Sequence, residues 1–329
     1  METSPVLGVD VSKPWLDACL LRPCGRLEER RFPNDPRGIA AMLAWGGAAP
    51  TLGMESTGGH ERGLALAGLD AGRLVRVENP RRVRDFARAT GRLNKTDRAD
   101  ARAIAEFLAK VEGRPWRLAD PLARELEGLT AHRAALLEER TRVSNRLARG
   151  ASLPALAARH LEARLSALGE EIREAEAERR RLADAEPGLA RELGALQRLP
   201  GVGEATAMLV LARAGDVEEY PTAQGYAAAA GLNPCRRESG AWRGRTRISK
   251  QGDAPLRSGL YMAAVVACRH DPLLREFRER LLASGKTKMQ ALVACMRKLL
   301  MRMYGILKAV RAGREPFYGA RPKESPPQT

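Results

Sequence analysis

The chain has 329 residues, enough for two domains and a connecting module, and its 56 Lys and Arg against 40 Asp and Glu leave a formal net charge of +16. With 44% apolar residues it can bury a core, and with that charge it should be drawn to a polyanion, although nine lysines against 47 arginines reflect coding bias as well as selection. No run approaches 18 apolar residues and the start lacks the basic and long apolar regions of a signal peptide, which excludes a spanning helix and points to the cytoplasm.

From the N-terminus, apolar and polar residues alternate in three bursts, Pro5 to Val11, Trp15 to Leu21 and Arg26 to Phe32, separated by turn-like Ser12-Lys13-Pro14 and Arg22-Pro23-Cys24-Gly25. This spacing predicts a three-stranded antiparallel meander. There follow an amphipathic stretch around Ile39 to Trp45, a strand Thr51 to Met54, a helix after Gly59, a strand Arg73 to Val77, and helices near Pro80 to Ala89 and Thr96 to Leu108. Strands first hairpinned and then alternating with helices predict a mixed α/β domain over residues 1–115.

Beyond it the period becomes heptad. Leu122, Leu126, Leu129, Arg133, Leu136, Arg140, Val143 and Leu147 step by four and three, and after a break at Gly150 to Pro154 so do Leu161, Leu165, Leu168, Ile172, Ala175, Arg179 and Leu182. Two long helices with Arg in the seam predict a helical coiled-coil hairpin over 116–195 that pairs with another subunit in a homo-oligomer, a dimer or tetramer. The alternative is a monomeric linker whose arginines snorkel to water. A mainly α domain over 196–329 opens at Leu199-Pro200-Gly201-Val202-Gly203, passes through an Arg- and Gly-rich loop from Pro234 to Gly252, and ends in helices from about Leu256 to Ala312. Arg321 to Thr329 have the composition of a disordered end.

Four carboxylates stand where chemistry is expected. Asp10 ends the first strand in Gly8-Val9-Asp10-Val11-Ser12-Lys13, Glu55 ends a central strand in Met54-Glu55-Ser56-Thr57-Gly58, and strand ends are where open α/β sheets place ligands. Asp97 and Asp100 are three apart at the start of a predicted helix and share its face, where acids also serve as ordinary caps. Brought together, four carboxylates would repel unless hard cations neutralised them, and oxygen-only ligands suit Mg²⁺ or Mn²⁺ acting on a phosphodiester. Five scattered cysteines (Cys19, Cys24, Cys235, Cys268, Cys295) form no paired spacing, against a zinc site or a disulfide framework.

The order Asp10, Glu55, Asp97, Asp100 resembles the Asp-Glu-Asp-Asp set of the RuvC-like, RNase H-fold domain in DEDD-type transposases of bacterial insertion sequences, the bridge-RNA-guided recombinases. Gly8 to Lys13, Met54 to Gly58 and Asn94 to Ala101 match its signatures, and the likeness extends over essentially the whole chain. The resemblance implies divalent metal on the quartet, donor and target DNA and a structured guide (bridge) RNA as partners, and an active site shared between domains of different subunits. It implies a bacterial cytoplasmic, nucleoid-associated protein.

In that family the Ser of a Glu-Ser-Gly motif is the nucleophile, which corresponds to Ser239. Its neighbours Arg236, Arg237 and Arg243 are cations able to hold a phosphate. Ser249 beside Lys250 is the rival, and a plain surface turn serine is the other reading of either. Lys95, Arg98, Arg236, Arg237, Arg243, Arg245, Arg247 and Lys250 are the expected nucleic-acid contacts. Leu199 to Gly203 is similar to a helix-hairpin-helix turn, whose glycines let backbone N–H groups approach a phosphate, and equally to a plain helix-to-helix turn. Tyr261, in an apolar setting, and Cys268 and Cys295 are expected in the core, and the four histidines on helices or the surface. The competing functions are a metal-dependent Holliday-junction nuclease, a non-catalytic nucleic-acid scaffold, and a sugar-kinase-like ATPase, for which no second Asp-Gly-rich phosphate motif is found.

Overall fold

The computed structural model describes residues 4–47, 49–91, 97–117, 121–149, 153–235, 238–239, 242–243 and 247–319, with the backbone alone described for 97–99, 238–239 and 242–243. The chain divides into two units, residues 1–119 and 120–329.

The first unit is built on a five-stranded sheet of order β3-β2-β1-β4-β5. The strands β1 (Val6–Val11), β2 (Trp15–Leu21) and β3 (Leu27–Pro33) form the expected meander, and β4 (Thr51–Glu55) and β5 (Leu74–Glu78) add in parallel to β1. Between them run α1 (Pro36–Trp45) and α2 (Arg62–Asp70), and after β5 come α3 (Pro80–Ala89) and α4 (Asp97–Lys110). Asp35 and Asn79 start α1 and α3 by accepting the Gly38 and Arg81 N–H groups, each with a proline next in sequence, whose missing N–H and fixed φ suit a first helical turn. Successive strand residues face opposite sides. Leu7 and Val9 of β1, with Leu52 and Met54 of β4, therefore pack on α1 and α2, whereas Val6 turns to Ile104, Phe107 and Leu108 of α4.

The second unit begins with two long helices, α5 (Pro121–Ala148) and α6 (Ala155–Ala185), which lie antiparallel. Leu136 and Val143 pack on Leu161, Leu168 and Ile172, Arg133 pairs with Glu176 at 2.6 Å, and Arg164 pairs with Glu139. The two helices on either side of the break at Gly150 to Pro154 pack on one another within the chain, as a hairpin does. The seam arginines differ from one another. Arg140 is exposed, but Arg179 is 3% exposed, and burial, reinforced by the nearby Arg133 charge, holds its guanidinium below the usual range.

Helices α7 (Pro187–Gln197), α8 (Glu204–Arg213) and α9 (Ala223–Ala229) lead to four short strands, β6 (Pro234–Cys235), β7 (Glu238–Ser239), β8 (Trp242–Arg243) and β9 (Arg247–Ile248). The unit closes with α10 (Ala254–His270), α11 (Pro272–Ala283) and α12 (Lys288–Arg311). The last runs through the core, where Leu299, Leu300, Met303 and Leu307 are essentially inaccessible. A capping box of Thr287 and Gln290 starts it. Between α7 and α8, Gly201 has φ +84°, and a Cβ there would lie 2.5 Å from the Ala263 carbonyl oxygen of α10. The close approach that this glycine permits is thus to the chain's own helix, while a Cβ on Gly203 would meet nothing within 4 Å. Among the described residues no helix is long and apolar enough to cross a membrane.

Candidate functional site

The sheet register brings the sequence-predicted acids together. Gly8 of β1 lies opposite Gly53 of β4, and α4 rests on both. A Cβ on Gly8 would be 2.3 Å from the Ala105 nitrogen, and one on Gly53 2.3 Å from a Leu108 methyl. Two residues further along each strand, on the same face, stand Asp10 and Glu55, one step past the registered pair Val9 and Met54. Val6 packs near the end of α4 and Gly8 nearer its beginning, so the helix runs counter to the strands. Its first turn, with Asp97 and Asp100, is therefore carried toward the strand ends that bear Asp10 and Glu55. Asp10, Glu55 and Asp100 are partly exposed, and the Asp97 side chain lies outside the described residues.

The same level of the sheet carries two further acids that the sequence reading missed. Asp17 is registered opposite Asp10, and Glu78 opposite Glu55. Across β3, β2, β1, β4 and β5 the row reads Arg31, Asp17, Asp10, Glu55, Glu78. Its outer members are neutralised. Arg31 grips Asp17 with two bonds of 2.8 and 2.9 Å. Glu78, 4% exposed, accepts 2.9 and 2.5 Å bonds from Arg76 and one of 2.7 Å from Arg82. Arg76 also donates to the carbonyls of Leu108 and Val111, tying the end of α4 to β5. A row of four carboxylates about 4.8 Å apart would repel strongly, and the two arginine clamps offset the charge of Asp17 and Glu78. A signal for one clamp was present in the sequence, since a hairpin turning at Cys24 places Asp17 opposite Arg31.

The turn after Glu55 is held by Glu61, whose Oε2 accepts the Thr57 hydroxyl at 2.6 Å and the Gly59 N–H at 2.8 Å. Partial burial pushes the Glu61 carboxyl up, but these bonds outweigh it and hold the group below the usual range. Among the described residues no three Asp, Glu, His or Cys side chains are gathered as ligands of one ion. The donor chemistry at Asp10, Glu55 and Asp100 is that of a hard-cation site, all carboxylate oxygen.

In the second unit, the Arg-rich segment folds as a nested hairpin. Pro234 and Cys235 pair with Ile248 and Arg247, and further out Glu238 and Ser239 pair with Arg243 and Trp242. Ser239 therefore sits in the outer tier of the hairpin, separated from Trp242 by Gly240-Ala241 in sequence. The base is fixed to the helical core by Ser249 N–H to Asn233 (2.8 Å), Lys250 N–H to Gly231 (3.1 Å) and Asp253 N–H to Ala229 (2.7 Å). Asp253 caps α10 and takes Arg213 of α8 at 2.7 Å. Ser249 belongs to this base, and its hydroxyl accepts the Gln251 N–H. Lys250 holds φ +54°, a conformation that side-chain-bearing residues seldom adopt. Arg247 and Lys250 are exposed. Lys95, Arg236, Arg237 and Arg245 lie outside the described residues, as do the side chains of Arg98, Arg243 and Ser239.

His60, His132, His160 and His270 are all exposed, and Cys268 and Cys295 are buried as expected, with burial pushing the Cys295 thiol up to about 12. Tyr261 departs from expectation. It is 37% exposed on α10, because the core face of that helix is taken by Leu260, Ala263, Ala264 and Ala267.

Comparison with known proteins places both halves of the chain. Residues 7–150 match the model of DEDD transposases of the IS110 type, and residues 193–279 match the transposase model of the IS116/IS110/IS902 family. The chain is 28% identical to a pilin gene-inverting protein of Moraxella bovis over 317 residues, 93% of this chain and 96% of that protein. It is 25% identical over 300 residues to the transposase for insertion sequence element IS1111A of Coxiella burnetii, covering 82% and 79% of the two chains. A 43.6 kDa protein of insertion element IS110 from Streptomyces coelicolor is 31% identical over 148 residues, 45% of this chain and 36% of that one.

Proposed function

The chain belongs to the IS110 family of insertion-sequence transposases, DNA recombinases that break and rejoin strands, and from that premise we propose a division of labour between its two units. In the first, a RuvC-like domain, Asp10, Glu55, Asp97 and Asp100 would hold divalent metal, Mg²⁺ or Mn²⁺. In the second, Ser239 would attack a DNA phosphodiester. The observation that carries the reading is the placement of Asp10 and Glu55 side by side at parallel strand ends, with their outer neighbours Asp17 and Glu78 already occupied by arginines.

A bound divalent ion would supply Lewis-acid stabilisation of charge on the phosphate oxygens. Ser239 Oγ forms one P–O bond as the strand's own P–O bond breaks, and the departing strand oxygen takes up a proton. The ester conserves the energy of the broken bond, so rejoining needs no ATP. The outer tier of the hairpin suits Ser239 to this role, whereas the Ser249 hydroxyl serves the hairpin base. Arg236, Arg237, Arg243, Arg245, Arg247 and Lys250, with Lys95 and Arg98 beside the quartet, would hold phosphates of DNA and of a structured guide RNA, the protein contributing backbone contacts and base pairing the sequence. We read the helical pair within 116–195 as the part that organises a homo-oligomer. Its surface would serve that role, since its seam is filled within the chain.

The test is strand exchange by the purified RNA-loaded protein. Asp10→Ala or Glu55→Ala should abolish it while leaving the fold intact, and EDTA should abolish it in the unaltered chain, reversed by Mg²⁺ or Mn²⁺. Full activity in EDTA contradicts the metal assignment.

A further inference from the structure

Helices α10, α11 and α12 enclose a cleft of about 210 Å³ that the chemistry above does not use. Its apolar wall is Tyr261 and Val265 of α10 with Met289 and Leu292 of α12, and its charged groups are Arg269, Arg278 and Lys288. Among the described residues no carboxylate lines it. Tyr261, Val265 and Arg269 are spaced by four and share one helical face, so the ring and the guanidinium stand about two turns, roughly 12 Å, apart along the same side. Beside them Met262 is 62% exposed and Met289 56%, a concentration of apolar surface that a soluble helix ordinarily buries. Lys288 and Met289 also open α12, whose first turn adds its own positive field.

We propose that this cleft captures one unstacked base of a single-stranded nucleic acid, with Tyr261 as the stacking platform and Arg269, Arg278 and Lys288 holding the adjoining phosphate. A polyanion with a flat apolar face meets both halves of the lining. A double helix offers only the phosphate, because its bases are stacked on one another. An acidic or apolar protein surface would satisfy one half and leave the ring or the cations without a counterpart. The inference rests on the reading of the chain as a nucleic-acid recombinase, whose reaction must expose single strands.

Fluorescence anisotropy of the full chain with labelled oligothymidine, run beside a duplex of equal length, tests it without requiring cleavage. Tyr261→Ala should weaken single-strand binding about tenfold, since stacking on an aromatic side chain contributes about 1–3 kcal/mol per base, and should leave duplex binding unchanged. Tyr261→Trp should restore the affinity. Arg269→Gln with Lys288→Gln should weaken binding and flatten its salt dependence. Equal loss on both nucleic acids, or no loss in Tyr261→Ala, overturns the proposal. So does a change of sedimentation coefficient in Met262→Glu with oligonucleotide affinity untouched, which would make the face a contact between copies of the chain. Repeating the titration on Ser239→Ala keeps the two readings apart. Single-strand capture by an unaltered chain that forms no covalent adduct would fail only the chemistry, and an adduct with no Tyr261 effect would fail only the cleft.

Discussion

The acidic row of the sheet and the Arg-rich hairpin carry the two halves of the proposed chemistry, and they are held in opposite ways. Asp10 and Glu55 are fixed by backbone ladders on both sides, by a helix seated on two glycines, and by arginine clamps at the ends of the row. Ser239 lies in the outer tier of a hairpin of two-residue strands, and among the described residues the hydrogen bonds that attach it to the helical core are at its base. Metal-binding acids need a fixed mutual geometry, because their repulsion is large and steep with distance. A nucleophile that must reach a phosphate in a separate molecule is better placed on a projecting element.

The comparison breaks most severely at Arg76. Arg76→Met leaves Glu78 buried with Arg82 alone and frees the end of α4, so urea unfolding should show a loss of about 3 kcal/mol. Gly8→Ala drives a methyl into the α4 backbone and should cost about 2 kcal/mol and most of the recombination activity. Gly25→Ala is not a fair control because Gly25 has φ +82°, but Gly128, whose Cβ would meet nothing, is one, and Gly128→Ala should be harmless or mildly stabilising. In the second unit the changes run the other way. The Tyr226 hydroxyl is buried without a hydrogen-bond partner among the described residues, so Tyr226→Phe should raise stability by about 1 kcal/mol. Lys250→Gly should relieve a left-handed backbone by about 1 kcal/mol while weakening nucleic-acid binding. The smallest effect is a pH dependence. The Glu61 carboxyl titrates lower folded than unfolded, so its contribution is whole above the unfolded value and is lost as pH falls through the folded one. Glu61→Gln should therefore melt lower than the unaltered chain near neutrality and converge with it in acid.

Much of the first unit was legible because each strand there is short, alternating and bounded by turn residues. The meander, the parallel strands and the places of Asp10 and Glu55 at strand ends follow from that period. The arginine clamps were not read, since Arg76, Glu78 and Asp17 gain meaning only when strands are set in register. The heptads gave two long helices and the hairpin between them, because two stretches of equal period are separated by a break at Gly150 to Pro154. The reading of Tyr261 failed. Apolar neighbours in sequence lie on several faces of a helix, and Leu260 rather than Tyr261 points to the core.

The central claim is that strand exchange passes through a covalent bond to Ser239, and a trapped reaction tests it most directly. With a nicked suicide substrate, the full RNA-loaded protein should yield a protein–DNA adduct whose mass maps to the peptide holding Glu238-Ser239-Gly240. Ser239→Ala should lose the adduct while still binding RNA and DNA, and Ser249→Ala should retain it. Cleavage by Ser239→Ala at the unaltered rate, with no adduct in either protein, would contradict the account and assign the chemistry to metal-dependent hydrolysis at the acidic row.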